Sequence, residues 1–465
     1  MLKNLKTKFI GNRAFYAMVL AIAVPIMIQN GITNLVNLLD NIMVGRLGTE
    51  QMSGVSIVNQ LIFVYNICIF GGVSGAGIFT AQYFGQKDSK GIRYTVRFKL
   101  WMTLILTAAA MLLFIFYDDL LINFYLSGSS DGGNLKAALQ YGKSYLRIMI
   151  IGLPAFMVLQ VYASTLRECG ETVVPMKAGM AAVFVNLVFN YFLIYGKFGF
   201  PQLGVAGAAV ATSLSRYIEA AIVVVWTHKH TEIHPFARGL YKSLSLPAPV
   251  VKKIFMKGMP LIVNEALWSA GIAFLMQCYS VRGLNVVAGL NIANTVHNLF
   301  KVVFLALGNS VAIIVGQLLG AGKMEEARDQ DNKMIAFSVM SCVGVSAVMI
   351  GLSSLFPLLY NTTEAVRRQA TMFMIAQAIF MPQEAFIHAT YFTLRSGGKT
   401  VITFFFDCAF LMVINIPVVF MLSRFTSIPA HQIYICCQMV DWIKCAIGLI
   451  LVKKGVWLQN IVKEN

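Results

Sequence analysis

Residues 14–44 read AFYAMVLAIAVPIMIQNGITNLVNLLDNIMV, and no charged side chain interrupts them between Ala14 and Leu39. As a helix rising 1.5 Å per residue, such a run outspans the roughly 30 Å of bilayer hydrocarbon. It carries one proline, Pro25, and one acid, Asp40, near its far end. Hydrocarbon tolerates neither open backbone nor idle charge, so the stretch reads as a lipid-spanning helix that places a carboxylate inside the membrane for a reason.

The same kind of run recurs along the chain. Twelve spans are expected, at about 14–44, 52–84, 94–117, 139–163, 172–195, 204–227, 252–280, 286–319, 334–358, 366–393, 400–422 and 430–452. They are too long for barrel strands of about 10 residues. Composition agrees: of 465 residues, 58% are hydrophobic and 12% charged, about half the charge of a soluble protein. That excludes a soluble enzyme, a disordered chain, collagen and a coiled coil. The expected fold is an all-α polytopic membrane protein, with twelve transmembrane helices in two pseudo-symmetric six-helix bundles. The bundles are assigned to residues 1–230 and 231–465, with the Pro- and His-bearing stretch 228–251 as a cytoplasmic linker.

Lys and Arg total 37 against 20 Asp and Glu, a formal +17. The placement of the excess decides its meaning. Lys3, Lys6, Lys8, Arg13, Lys87, Lys90, Arg93, Arg97, Lys99 and the linker bases fall on the side of the N-terminus. Lys323, Arg328, Lys333, Arg395, Lys399, Lys453 and Lys454 join them, whereas Arg46, Lys136, Lys197, Arg282 and Arg424 are among the few on the other side. Cytoplasmic loops retain Lys and Arg, so both termini are expected in the cytoplasm of a multi-pass plasma-membrane protein, a bacterial inner membrane being the natural setting. The charge is a topology signal with some affinity for anionic lipid, not a nucleic-acid footprint. No cleavage site follows a short apolar segment at the N-terminus, so no cleaved signal peptide is expected. The eight Cys residues are scattered through apolar runs and read as free thiols, and no Cys/His spacing suggests zinc.

The chain also repeats itself weakly. Near an offset of 235, Pro25, Gly48, Asn59, Gln82 and Gly85 align with Pro260, Gly283, Asn294, Gln317 and Gly320. Near 228, Pro154, Thr165-Leu166-Arg167 and Gly170 align with Pro382, Thr393-Leu394-Arg395 and Gly398. Six spans separate the copies, so the halves share one orientation, as in transporters built from parallel repeats.

Polar side chains at membrane depth point to a site. Asp40 lies about 9 Å inside the outer edge marked by Arg46, counting 1.5 Å per residue. Asn190 and Asn186, four residues apart and hence on one helical face, lie at similar depth, as does Thr212. A carboxylate with carbonyl and hydroxyl oxygens suits a hard cation such as Na+ and equally a carboxyl that gains and loses a proton; a structural acid held by hydrogen bonds is the alternative. The other half has Glu265 and Glu384. Lys301 and Asp407 are also intramembrane; a pairing of Lys301 with Glu265 or Asp407, making one of them a structural counter-ion, is one reading and a transport role is the other. Arg216 with Glu219, and Asp441 with Lys444, read as self-neutralising pairs three residues apart. Pro25, Pro260 and Pro382 each remove a ladder hydrogen bond and permit bending. With 24 Met and 33 Phe, the chain has flexible thioethers and aromatic faces suited to a promiscuous cavity.

The segment Asp40-Asn41-Ile42-Met43-Val44-Gly45-Arg46-Leu47-Gly48 resembles the multidrug and toxic-compound extrusion (MATE) family. So do Gln82 with Gly85, and the paired Leu166-Arg167 and Leu394-Arg395 loops. The resemblance runs over almost the whole chain. It implies a monomeric secondary exporter of small, often cationic organic compounds in exchange for Na+ or H+, with no other cofactor. It puts the N-lobe cation site on Asp40, Asn186, Asn190 and Thr212, C-lobe acids on Glu265 and Glu384, and a bending proline on Pro25. Some relatives carry an acid where this chain has Asn190. A lipid-linked oligosaccharide flippase of the same superfamily is the alternative. A membrane-embedded enzyme is disfavoured: HExxH is absent, and Gly398-Lys399-Thr400 is preceded by Thr393 where a phosphate-cradling loop needs Gly.

Overall fold

The computed structural model describes residues 9–126, 135–360 and 362–463; Lys3, Lys6 and Lys8 fall outside them. Every extended element among the described residues is helical. The helices are α1 (Arg13–Gly45), α2 (Thr49–Gly85), α3 (Ser89–Phe116), the short α4 (Asp118–Leu126), α5 (Leu135–Glu168), α6 (Val173–Tyr195) and α7 (Val205–Lys229). After the linker come α8 (Ala248–Ser280), α9 (Leu284–Phe300), α10 (Val302–Gly320), α11 (Met324–Leu352), α12 (Glu364–Ser396), α13 (Thr400–Phe425) and α14 (Ala430–Lys454). Twelve of these are long and apolar enough to cross a membrane. Large apolar side chains such as Phe116, Phe184 and Met340 stand exposed on them, as lipid-facing positions require.

The spans agree with the sequence pattern to within a few residues except at three places. The run expected at 286–319 is broken at Lys301 into α9 and α10; the ladder passes around the break, with the Lys301 N–H donating to His297 O at 2.8 Å and Leu305 N–H to Lys301 O at 3.0 Å. The run expected at 334–358 begins ten residues earlier, at Met324, because the polar segment Glu325–Lys333 continues the helix. In α13, two wide π-helical turns occupy Phe405–Ala409 and Leu411–Asn415. Such turns are rare and gather at functional sites. All eight cysteines are free thiols, as the sequence suggested.

Two compact units divide the chain. One takes the chain up to Met27, Ala81–Asp88 and everything from Met256 onward; the other takes Ile28–Thr80 and Ser89–Phe255. The division falls inside α1, two residues past the buried Pro25.

In the first unit, Phe15, Val19, Ile22 and Ile26 of α1 pack with Leu307, Val311, Ile314, Phe392 and the fully buried Trp457. The repeated Gln and Gly motifs meet here. A Cβ on Gly85 would lie 1.9 Å from Gln317 O, and one on Gly320 would lie 1.9 Å from Gln82 O. Each copy of the motif therefore presses its glycine against the backbone of the other copy. Buried Gln82 also ties down two other segments of the chain, donating to Ser396 O at 2.9 Å and Gln459 O at 3.2 Å and accepting from Ile461 N–H at 2.8 Å. Its pairing with Gly85 in the sequence is thus a packing signature.

The second unit is closed by its own polar contacts. Lys99, fully buried, donates to Glu168 at 2.5 Å and to Ser164 and Thr165 at 3.2 Å. In the first unit Thr393, the repeat counterpart of Thr165, donates its hydroxyl to the buried Asp331 carboxylate at 2.6 Å. Gly170 and Gly398, with φ of 87° and 71°, end the helices that carry Thr165 and Thr393. The duplication therefore preserved a helix end and its threonine.

Candidate functional site

The second unit brings four of the expected site residues together. Asp40 sits on α1 five residues before its last residue, Gly45. Asn186 and Asn190 lie one turn apart on α6 and are buried, with 5% and 1% of their surface exposed; the i, i+4 spacing aims both at α1. Thr212 stands on α7, which packs along α6. Asn190 Nδ2 donates to Asp40 Oδ1 at 2.6 Å. The amide of Asn186 lies between Asp40 and Thr212. With its nitrogen toward Asp40 it donates to Oδ1 at 3.0 Å and Oδ2 at 3.2 Å while accepting from Thr212 Oγ1 at 3.2 Å. Turned over, it donates to Thr212 Oγ1 at 3.2 Å and sets its own oxygen against the carboxylate.

The two amide orientations are chemically distinct states. The nitrogen-in state satisfies the carboxylate by hydrogen bonds alone. In the oxygen-in state the Asn186 oxygen faces the carboxylate and accepts from Asn190 Nδ2 at 3.1 Å, and a cation there would be shared by both oxygens. Asn190 Oδ1 is also buried with no hydrogen-bond partner, and an orphan acceptor in a dry site costs about 1–3 kcal/mol. Carboxylate, two amide oxygens and a hydroxyl form the hard-oxygen set that Na+ takes. Among the described residues no cluster of three His, Cys, Asp or Glu is present. Glu219, beneath this cluster on α7, pairs with Arg216 at 3.2 Å as its spacing predicted.

The first unit arranges its acids differently from expectation. Glu384 Oε2 stands 3.2 Å from His297 Nε2, and Gln438 Nε2 donates to its Oε1 at 3.4 Å. Glu265 accepts from Tyr391 Oη at 3.5 Å. Glu265 and Glu384 thus have separate partners. The expected Lys301 pairing with Asp407 or Glu265 is corrected: Asp407 Oδ1 accepts from Lys444 Nζ at 2.9 Å and its Oδ2 from Asn264 Nδ2 at 3.1 Å. The pairing of Asp441 with Lys444 is corrected with it, since Asp441 accepts from Asn415 Nδ2 at 3.0 Å. Both changes trace to the π turns of α13, which hold Asp407 and Asn415. An i→i+5 turn alters the angle between successive side chains, and helical spacing cannot foresee it. Lys444 is further held over the rings of Phe406 and Phe410.

His297, Lys444, Asn264 and Asp331 are the polar groups that sequence reasoning missed or misassigned. Asp331 is fully buried, and its Oδ2 has no hydrogen-bond partner. Its signal was its place on the α11 helix, which the hydropathy pattern started too late.

Comparison with known proteins agrees with this architecture. The MatE family model matches residues 25–192 and 260–421, once in each half. A probable multidrug resistance protein NorM of Thermotoga maritima is 29% identical over 65% of this chain and 63% of its own length. The multidrug resistance protein MdtK of Pectobacterium atrosepticum is 26% identical over 87% of this chain and 86% of its own. A solved MATE structure in the bent conformation superposes with a TM-score of 0.84 at 19% identity, covering 96% of both chains.

Proposed function

This chain belongs to the MatE family, whose members are transporters and not enzymes, and on that premise we propose that it exports small organic compounds across the membrane in exchange for Na+ bound at Asp40. The multidrug-resistance names of its relatives support the substrate class. One observation carries the ion: inside an apolar span, a carboxylate is surrounded by Asn186, Asn190 and Thr212, with the Asn190 carbonyl oxygen left over.

In this mechanism Na+ enters from outside and draws the Asn186 amide into its oxygen-in orientation. It then collects Asp40, the Asn190 oxygen and the Thr212 hydroxyl. Leaving the cluster returns Asn186 to the nitrogen-in state, so occupancy and the packing of α1 against α6 and α7 change together. Pro25 leaves α1 one ladder bond short, which lets that change bend the helix. A ligand shifts a conformational equilibrium only through such differential contacts. Alternation between states that face either side then carries the substrate out. The Glu384–His297 pair and Glu265 take the substrate's positive charge or a proton in this scheme. The protein works as a monomer in a bacterial inner membrane with both termini in the cytoplasm.

The test is drug efflux in proteoliposomes with Na+ and pH gradients imposed separately. Export driven by the Na+ gradient, and lost in Asp40→Asn protein that still folds and inserts, is the expected outcome. Export driven only by the pH gradient and kept in Asp40→Asn would move the coupling site to Glu265 and Glu384.

A further inference from the structure

At the linker-facing end of α3 the second unit holds a separate concentration of charge. Lys90, Arg93, Tyr94 and Arg97 follow one another at i, i+3, i+4 and i+7, so they form a single stripe on α3. Opposite them the connection after α7 supplies Arg238 and Lys242, and the residues enclose a cleft of about 320 Å³. Gly239 makes the turn there, with a φ of 73° that side chains rarely adopt.

Arg93 and Arg97 are fixed but not neutralised. Arg97 donates through Nε to Leu240 O at 2.9 Å and through Nη2 to Gly239 O at 3.1 Å. Arg93 donates to Arg238 O at 2.8 Å. These acceptors are neutral carbonyls, which orient a guanidinium without cancelling its charge. No acid lines the cleft, and among the described residues Arg93, Arg97, Arg238 and Lys242 form no ion pair. Like charges held this close raise the energy of the empty cleft, and a bound anion relieves it. Planar guanidinium forks match the oxygens of phosphate.

The surroundings say what carries the phosphate. Trp101 stands one turn beyond Arg97, 43% exposed, with its Nε1 donating to Leu244 O at 3.1 Å. Tyr241, next to Lys242, is exposed as well. Trp and Tyr settle at the membrane–water boundary, and basic residues there meet the anionic cytoplasmic leaflet. We propose that this cleft binds a phosphate group presented by an anionic lipid headgroup. The proposal needs the orientation given above but not the Na+ site.

The test is native mass spectrometry of delipidated protein titrated with phosphatidylglycerol, phosphatidylcholine or inorganic phosphate. The wild type should bind one phosphatidylglycerol at least about tenfold more tightly than phosphatidylcholine. Arg93→Gln with Lys242→Gln should weaken that binding about 30-fold, and Lys242→Gln alone, at an exposed side chain, about fivefold. Millimolar inorganic phosphate should displace the lipid. Inorganic phosphate that binds while phosphatidylglycerol does not would overturn the lipid as the bearer. Equal binding of the two lipids by the wild type, or binding unchanged in both variants, would overturn the site.

Discussion

Replacing Asn190 by alanine separates the two roles of one amide. Its Nδ2 donates to Asp40 at 2.6 Å, and its Oδ1 is buried without a partner. The donor acts on the carboxylate whether or not a cation is present, so its loss largely cancels in the binding equilibrium. The oxygen contributes only when a cation sits beside it. A hydrogen bond to a charged group is worth about 1.5–3 kcal/mol, and a lost oxygen contact to Na+ is taken as the same size. At about 1.4 kcal/mol per factor of ten, the half-saturating Na+ concentration for efflux should rise about 10- to 100-fold in Asn190→Ala. Water entering the space vacated by the amide sets the lower end. The maximal rate at saturating Na+ should stay close to wild type, because Asp40 is intact. The assay is efflux rate against Na+ concentration in proteoliposomes at constant pH. An unchanged midpoint would refute the reasoning, and so would a lowered one, which would mean that the donor and not the oxygen decides.

Three other outcomes follow from the packing. Gly320→Ala puts a Cβ where the Gln82 carbonyl oxygen lies 1.9 Å away, and backbone cannot give way; it should cost about 1–3 kcal/mol or more. Gly344→Ala meets nothing within 4 Å and should leave the thermal midpoint in detergent equal or raised; equal effects of the two would refute the Gln/Gly contact. In double-mutant cycles on stability, Asp407→Asn should couple to Lys444→Met by about 1 kcal/mol more than to Lys301→Met, and the reverse order would restore the pairing expected from sequence. His234 lies outside the spans, against Trp226 and Phe236, and burial lowers its pKa below the ordinary value. The unfolded chain then takes up the proton first, so this contribution is intact above about pH 6.5 and is lost as pH falls below it. His234→Phe should flatten the thermal midpoint over that acid range, and an unchanged slope would count against it.

The spans were legible because lipid leaves a helix only one way to satisfy its backbone, and a run of side chains such as 14–39 advertises it. Asp40, Asn186 and Asn190 were legible for the same reason. Depth could be counted from Arg46, and a spacing of four put both amides on one face. The partner of Asp407 was not legible: the choice between Lys301 and Lys444 turns on two π turns whose residues look like any other apolar helix. The break at Lys301 left no proline or glycine beside it to announce it. Asp331 was hidden by its neighbours, since Glu325, Glu326, Arg328 and Asp329 made the first turns of α11 read as loop. The aligned Gln82 and Gln317 were visible as a repeat, but only coordinates tell that each copy's glycine rests on the other copy's backbone.

The central claim is that Asp40 and its three neighbours bind Na+. Equilibrium binding of radioactive sodium to the purified protein tests it without any transport step. The account predicts one saturable Na+ site in the wild type, absent in Asp40→Asn and retained in Glu265→Gln with Glu384→Gln. Sodium binding that survives Asp40→Asn, or no saturable binding in the wild type, would contradict it.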